Sequence, residues 1–173
     1  MHCFQIGGEF EDEIFECLRK ATKELKTQNT VVLSGLNLKD LHSKPTGQID
    51  FLIISLPLKS IIHIEAKKGN NSTGRKIATD QLMRGQKFFE DNLPFPNSEN
   101  WNYIKMMCFG ESVKKNICDQ CKTFVLSANF LAEKKTQPIA EQIANQFKTF
   151  WESCKVTKGR PNFKMEIFFI LCC

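Results

Sequence analysis

Two apolar stretches joined by a short turn constrain this chain more than any other feature. Residues 48–56 and 60–67 are rich in Ile and Leu, and Pro57 lies between them. Runs of this length and composition, separated by a turn residue, predict two neighbouring β-strands. A hairpin folded symmetrically about that turn brings Asp50 directly opposite Glu65.

Charged residues mark the outer ends of both predicted strands. Because side chains alternate between the faces of a sheet, Asp50, Glu65 and Lys67 are predicted to share one face. Two opposed carboxylates repel unless a positive charge lies between them, and oxygen ligands of this kind suit Mg²⁺ or Mn²⁺. The alternative is an ordinary pair of strand-end charges exposed at the rim of the sheet, with Lys67 as their counterion.

The rest of the chain predicts helices and strands in an order typical of an α/β fold. Helical periodicity covers residues 9–26, 77–92 and 137–154, and further strands are predicted over 31–38, 103–109, 123–128 and 165–171. Loops are expected over 39–46 and 69–74. This order predicts a mixed sheet covered by helices. A chain of 173 residues is expected to form one domain, spanning residues 1–173.

Polar residues interrupt the apolar faces of the first two predicted helices. Glu11 is the one acid on the apolar stripe of the first helix, and a carboxylate that faces a core is costly unless it is paired or metal-bound. The alternative is a residue at the end of the stripe that reaches solvent. Gln81 lies in the apolar stripe of the second helix, and Gly85 one turn later permits a close approach. His63 shares the face of Glu65, where a buried structural histidine is expected rather than a catalytic base.

Positive charge is concentrated around the second predicted helix. The chain carries a net charge of +5, although residues 1–20 hold five acids against two basic residues. Residues 59–87 contain seven basic residues and, as acids, only Glu65 and Asp80. Such an excess of positive charge suits contacts with phosphates. The alternative is that these basic residues form an ordinary solvated helix face.

Neither a secretory signal nor a membrane-spanning stretch is visible in the sequence. The N-terminus runs into acids, and the longest apolar runs are far shorter than a membrane helix requires. These features predict a soluble protein of the nucleus or cytoplasm, without a membrane partner.

The eight cysteines include one metal-like spacing, Cys118-x-x-Cys121. A zinc ion held there, with Cys108 as a third ligand, would make the chain a zinc-stabilised interaction domain. No second pair of this kind follows, so zinc is not expected and the cysteines are interpreted as thiols.

The residues of the predicted hairpin resemble a known family. Asp50, followed after the turn by Glu65-Ala66-Lys67, resembles the D…(D/E)-x-K signature of the PD-(D/E)XK nuclease superfamily. The hairpin is similar to that of nuclease-related (NERD-like) and Holliday-junction-resolvase-like members. The resemblance covers roughly residues 8–92. Residue 49 is Ile where many members have Pro, and residues 93–173 carry no signature of the family.

This resemblance implies a restriction-endonuclease-like αβββαβ core and a metal-dependent nuclease. One Mg²⁺ or Mn²⁺ would be bound by Asp50, Glu65 and the backbone carbonyl of Ala66. Lys67 would position and help to activate the water that attacks a phosphodiester, while the metal stabilises charge on the phosphorus.

Residues outside the hairpin complete the implied site. Glu11 on the preceding helix matches an accessory position and would support the metal or bind a second one. Gln81 on the following helix would contact the metal-bound water or the substrate backbone. The implied substrate is DNA, with RNA as the alternative, and a homodimer is compatible with the resemblance. The residues expected to contact nucleic acid are Lys68, Arg75, Lys76, Arg84 and Lys87.

The sequence also leaves a non-catalytic function open. A nuclease fold that has lost turnover would serve as a nucleic-acid-binding or interaction module, with zinc at Cys118 and Cys121 as one variant. The complete set of Asp50, Glu65 and Lys67 favours the catalytic interpretation.

Overall fold

The computed structural model describes residues 8–25, 29–39, 45–92, 101–111, 117–118, 123–127 and 138–156. These residues form three α-helices and six β-strands. In chain order the elements are α1 (Gly8–Glu24), β1 (Thr30–Lys39), β2 (Pro45–Ser55), β3 (Ser60–Lys67), α2 (Ser72–Asn92), β4 (Asn102–Phe109), β5 (Ile117–Cys118), β6 (Thr123–Ser127) and α3 (Ile139–Val156). The predicted α/β class and αβββαβ core are confirmed. The strand predicted over 165–171 lies outside the described residues.

The six strands form one mixed sheet in the order β1-β2-β3-β4-β6-β5. The first three strands pair antiparallel, β4 pairs parallel to β3, and β6 pairs parallel to β4. Because β3 and β4 are parallel neighbours, the chain must cross over between them, and α2 makes that crossing. Helices cover both faces of the sheet, so its central strands are buried on two sides.

The predicted hairpin register is confirmed. Phe51 pairs with Ile64 and Ser55 with Ser60, and extending this register by one residue beyond the observed pairs sets Asp50 opposite Glu65. The turn between the two strands is held by side chains, because Ser55 Oγ accepts the Leu58 N–H at 3.3 Å and Ser60 Oγ donates to the Leu58 carbonyl at 2.9 Å. A symmetric hairpin follows directly from this closed turn.

Two element boundaries differ by three residues or more from the sequence-based expectation. The loop predicted over 69–74 ends early, because α2 begins at Ser72 rather than at residue 77. Asn71 caps this helix, and its Oδ1 accepts the Gly74 N–H at 2.7 Å. The loop predicted over 39–46 also ends early, since β2 begins at Pro45.

The core is divided between the two faces of the sheet. On one face α1 and α3 cover the sheet, and Leu18, Phe51 and Phe147 belong to a single buried cluster. On the other face α2 packs through smaller clusters, with Leu82 against Phe109 in one of them. The predicted apolar stripe of α1 faces the larger cluster. None of the helices in the described part of the chain has the length and apolar character needed to cross a membrane.

Candidate active site

Asp50 lies where the paired part of the β2–β3 hairpin ends. Its side chain is 7% exposed, and its Oδ2 accepts the backbone N–H of Ala66 at 2.8 Å. The same oxygen accepts a hydrogen bond from the Lys67 ammonium at 3.2 Å. The carboxylate thus accepts an N–H that a backbone carbonyl of a neighbouring strand would otherwise accept. This hydrogen bond fixes the position of Asp50 relative to the end of β3.

Glu65 is fully buried beside Asp50. Its Oε2 lies 3.5 Å from Lys67 Nζ, and its Oε1 lies 2.6 Å from His63 Nε2. Burial raises the pKa of Glu65 to about 9, and the adjacent Asp50 contributes to the increase while Lys67 opposes it. The structure therefore brings Asp50, Glu65 and Lys67 together on one face, and both acids are buried rather than exposed at the rim.

Lys67 connects the two carboxyl groups. Its side chain is 22% exposed, so the ammonium group lies at the boundary between the buried acids and solvent. An ammonium group in this position neutralises part of the local negative charge, and one of its three N–H donors is left over after the contacts with Asp50 and Glu65. Because both carboxyl groups are buried on the sheet, these contacts require less ordering of their acceptors than a surface ion pair does.

His63 is buried as expected, and both of its ring nitrogens have partners. Nε2 contacts Glu65 Oε1 at 2.6 Å, and Nδ1 contacts the Tyr103 hydroxyl at 2.7 Å. Burial lowers the pKa of His63 to about 3, with a smaller contribution from Lys67. Because burial also raises the pKa of Glu65, the contact between them is a hydrogen bond between neutral groups rather than an ion pair.

Tyr103 is a site residue that the sequence reasoning missed. It lies on β4, whose parallel pairing with β3 brings it alongside His63. Burial raises the pKa of its hydroxyl, and the nearby Glu65 raises it further. The available signal was its uniqueness: it is the single tyrosine of the chain, and a tyrosine in a sheet usually needs a partner for its hydroxyl.

Glu11 approaches the same site from α1. It is half-buried, whereas its neighbours Asp12 and Glu13 are exposed. Burial raises the pKa of Glu11 and Asp50 raises it further, while Lys67 lowers it. Glu11 is therefore within electrostatic range of the Asp50–Lys67 pair, as the helical stripe predicted.

Gln81 carries an orphaned polar atom. Its Oε1 is buried and, within the described residues, has no hydrogen-bond partner. Gly85, one helical turn later, packs directly against His63. Helix α2 runs in the opposite direction to β3. Gln81, one turn before Gly85, therefore lies near the level of Glu65, two residues after His63.

The predicted nucleic-acid-binding residues do not share one environment. Lys68, Lys76, Arg84 and Lys87 are exposed. Arg75 is half-buried instead, because its Nε donates to Asn70 Oδ1 at 2.5 Å and its guanidinium lies 5.5 Å from the centre of the Phe109 ring. The exposed side of α2 also carries acids, namely Asp80, Glu90 and Asp91, so it is more mixed in charge than the basic count suggested.

The cysteines considered for zinc lie largely beyond what the structure describes. Cys121 is outside the described residues, and Cys118 belongs to the two-residue strand β5. Cys108 is fully buried on β4, and burial raises the pKa of its thiol. A high thiol pKa opposes formation of the thiolate that binds metals.

The donor set at Asp50 and Glu65 fits a hard divalent cation. Within the described ranges, no three His, Cys, Asp or Glu side chains form a ready-made metal cage. Mg²⁺ is usually held by one or two carboxylates, with water and substrate phosphates completing its shell. Asp50 raises the proton affinity of the adjacent Glu65, and a cation bound between the two carboxyl groups would relieve the repulsion between their ionised forms.

Comparison with known proteins provides little further information. No protein-family profile and no curated protein matches the chain. Among solved structures, the small subunit (R.BspD6I2) of the heterodimeric restriction endonuclease R.BspD6I is similar over 93% of this chain and 89% of its own. The sequence identity is 11% and the TM-score is 0.39, values too low to support a conclusion about this chain.

Proposed function

We propose that this protein is a metal-dependent nuclease that hydrolyses phosphodiester bonds of DNA. The observation that carries the proposal is the convergence of Asp50 and Glu65, both buried, on the half-buried ammonium of Lys67. A buried acid with a perturbed pKa, such as Glu65, is characteristic of functional sites. Their order on the hairpin matches the D…(D/E)-x-K signature described above.

A divalent cation is the proposed cofactor. Asp50, Glu65 and the backbone carbonyl of Ala66 would hold it, and Glu11 would add negative charge from the side of α1. When bound, Mg²⁺ or Mn²⁺ would supply Lewis-acid stabilisation of the phosphate oxygens and lower the pKa of a bound water.

The protein's own residues would orient the attacking water. Lys67 would donate its remaining N–H to that water while Asp50 and Glu65 fix its position. Gln81 Oε1, which has no partner among the described residues, would accept a hydrogen bond from that water or from a group of the substrate. Buried and fixed donors and acceptors of this kind are worth more than mobile ones, because they need little reorganisation during the reaction.

Exposed basic residues near the site would contact the nucleic-acid backbone. Lys68 follows the site lysine directly, and Lys76 lies in the second turn of α2. Contacts with phosphates give affinity without sequence information. The proposed substrate class is therefore DNA recognised mainly through its backbone, with RNA as the alternative.

Cleavage assays with purified protein test this proposal. Supercoiled, linear and single-stranded DNA would be incubated with Mg²⁺ or Mn²⁺, and we expect cleavage by the wild-type protein. Asp50→Asn and Lys67→Met should each reduce the rate at least about a hundredfold, the cost of losing a fixed group that stabilises the transition state. Asp12→Asn, an exposed acid on α1, is the matched control and should retain activity. Absence of cleavage on DNA and RNA with both metals would refute the catalytic proposal.

A non-catalytic nucleic-acid-binding module is the second candidate. The favouring observation is that the Lys67 ammonium contacts both acids, at 3.2 Å from Asp50 and 3.5 Å from Glu65, so the cluster has an internal counterion without a bound cation. In this case charge reversal at Lys76, Arg84 and Lys87 should abolish nucleic-acid binding, whereas Glu65→Ala should not. The wild-type protein would then bind DNA without cleaving it.

A further inference from the structure

We infer that His63 and Tyr103 form a buried relay that holds the Glu65 carboxylate for cation binding, which makes His63 a positioning residue. This inference rests on the proposed function, because it concerns the same site. It adds two residues that are not part of the D…(D/E)-x-K signature.

The relay is a continuous chain of short contacts. The Tyr103 hydroxyl lies 2.7 Å from His63 Nδ1, and His63 Nε2 lies 2.6 Å from Glu65 Oε1. Glu65 Oε2 then contacts Lys67, which also contacts Asp50. One carboxylate oxygen of Glu65 is thus engaged inside the protein, and the other faces the site.

The direction of hydrogen bonding is fixed once Glu65 is ionised for cation binding, because a carboxylate can only accept. When the Tyr103 hydroxyl donates to Nδ1, the imidazole carries its proton on Nε2 and donates it to Glu65 Oε1. Such a donor locks the rotation of the carboxylate and leaves Oε2 oriented towards Lys67. Outer partners of this type orient metal ligands and tune their affinity.

The surrounding backbone is shaped around the imidazole. A Cβ atom at Gly85 would lie 2.5 Å from His63 Cε1 and 3.0 Å from the Tyr103 hydroxyl oxygen. Helix α2 therefore approaches the relay at a distance that only glycine permits. His63 and Glu65 are both fully buried, and removing polar groups from water costs free energy. A relay without a role would place two such groups in the sheet with no benefit to offset that cost.

Manganese binding by two matched variants tests the relay without requiring turnover. His63→Gln retains an amide donor near the position of Nε2, and His63→Met has a similar shape without a donor. Binding of Mn²⁺ to the intact protein would be measured by electron paramagnetic resonance, with circular dichroism as the check on folding. We expect His63→Met to bind Mn²⁺ about 10–100-fold more weakly than the wild type, and His63→Gln to recover most of that loss.

The outcomes distinguish failure of the relay alone from failure of the proposed function. Equal binding by folded His63→Met and wild-type protein would overturn the relay and leave the nuclease proposal standing. Equal weakening in both His63 variants would also overturn it, because the donor would not matter. If the wild-type protein itself bound no Mn²⁺, the metal-dependent function would fail, and the relay with it.

A third variant keeps the test informative if His63→Met does not fold. Tyr103→Phe removes only the hydroxyl that holds Nδ1, and the ring remains in place. We expect roughly 2–10-fold weaker Mn²⁺ binding, the effect of losing one ordinary hydrogen bond. Unchanged binding in this variant would contradict the relay.

Discussion

Gly85 links the packing of helix α2 to the geometry of the candidate site. It lies on α2 and is buried against the His63 ring and the Tyr103 hydroxyl. Glycine in the interior of a helix is normally unfavourable by about 1 kcal/mol relative to alanine. Here the absence of a side chain is required, because the ring occupies the space that a Cβ atom would need.

Replacement of Gly85 by alanine should therefore destabilise the protein despite the better helix propensity of alanine. The added Cβ would lie 2.6 Å from His63 Nδ1, and such overpacking typically costs about 1–3 kcal/mol. Chemical denaturation measures the change in the free energy of unfolding. Gly47→Ala is the control, because a Cβ there meets no atom within 4 Å. A Gly85→Ala protein as stable as the Gly47→Ala protein would contradict the packing argument.

The titration of Glu65 and His63 predicts an unusual pH dependence for the metal-free protein. The pKa of Glu65 is raised from 4.5 to about 9, so the native state binds this proton more tightly and stability falls as pH rises through that interval. The pKa of His63 is lowered from 6.5 to about 3, so stability falls as pH decreases through that interval. The two contributions oppose each other between pH 4.5 and 6.5, where stability should reach a plateau.

Denaturation at a series of pH values checks this expectation. Above pH 6.5 the free energy of unfolding of the wild type should decline by up to about 1.4 kcal/mol per pH unit. Glu65→Gln removes the titrating group and should abolish most of this decline, whereas Glu13→Gln, at an exposed position of α1, should not. Parallel profiles for wild type and Glu65→Gln would show that Glu65 titrates at its ordinary pKa.

At the scale of elements, helix α2 has an unfavourable distribution of charge. Its first turn contains no acid and its last turn no basic residue, whereas the helix dipole favours the opposite arrangement. Lys76 lies near the N-terminal end, and Glu90 and Asp91 lie near the C-terminal end. The basic N-terminal end of α2 is therefore where the proposed contact with phosphates would be made.

Reversal of charge at Lys76 should therefore weaken DNA binding without weakening the fold. Because Lys76 is exposed, Lys76→Glu should change the free energy of unfolding by no more than about 0.5 kcal/mol. It should lower DNA affinity and reduce the slope of log affinity against log salt by about one. Lys23→Glu, in the last turn of α1, makes the same change in net charge and should leave binding unaltered. Equal loss of affinity in both variants would indicate a general effect of net charge.

At the scale of the whole molecule, the sequence predicts the features that depend on residues close together in the chain. Alternation along the strands and a symmetric turn were sufficient to place Asp50 opposite Glu65, with Lys67 on the same face. The position of Tyr103 was not predictable in this way, because the register of the parallel strands β3 and β4 is set after a long crossover and not by a turn. The contact of Arg75 with the Phe109 ring depends on the same crossover.

Binding of a cation at the site should also increase the stability of the whole protein. A ligand that binds only the native state, present at about a hundred times its Kd, stabilises it by about 2.7 kcal/mol. For a chain of this size that corresponds to an increase in Tm of roughly 5–10 °C. Addition of Mg²⁺ or Mn²⁺ should produce such a shift in the wild type and in the control Asp12→Asn, but not in Asp50→Asn.

The shift in Tm should itself depend on pH, which distinguishes binding at this site from binding elsewhere. A cation must displace the proton from Glu65, whose pKa is raised to about 9, so binding at a fixed metal concentration should strengthen as pH rises from 6 to 8. Thermal unfolding with and without the metal measures the increment at each pH. Glu65→Gln should show little increment at any pH. A pH-independent increment that persists in Glu65→Gln would place the cation away from Asp50 and Glu65, and the metal-dependent mechanism would lose its basis.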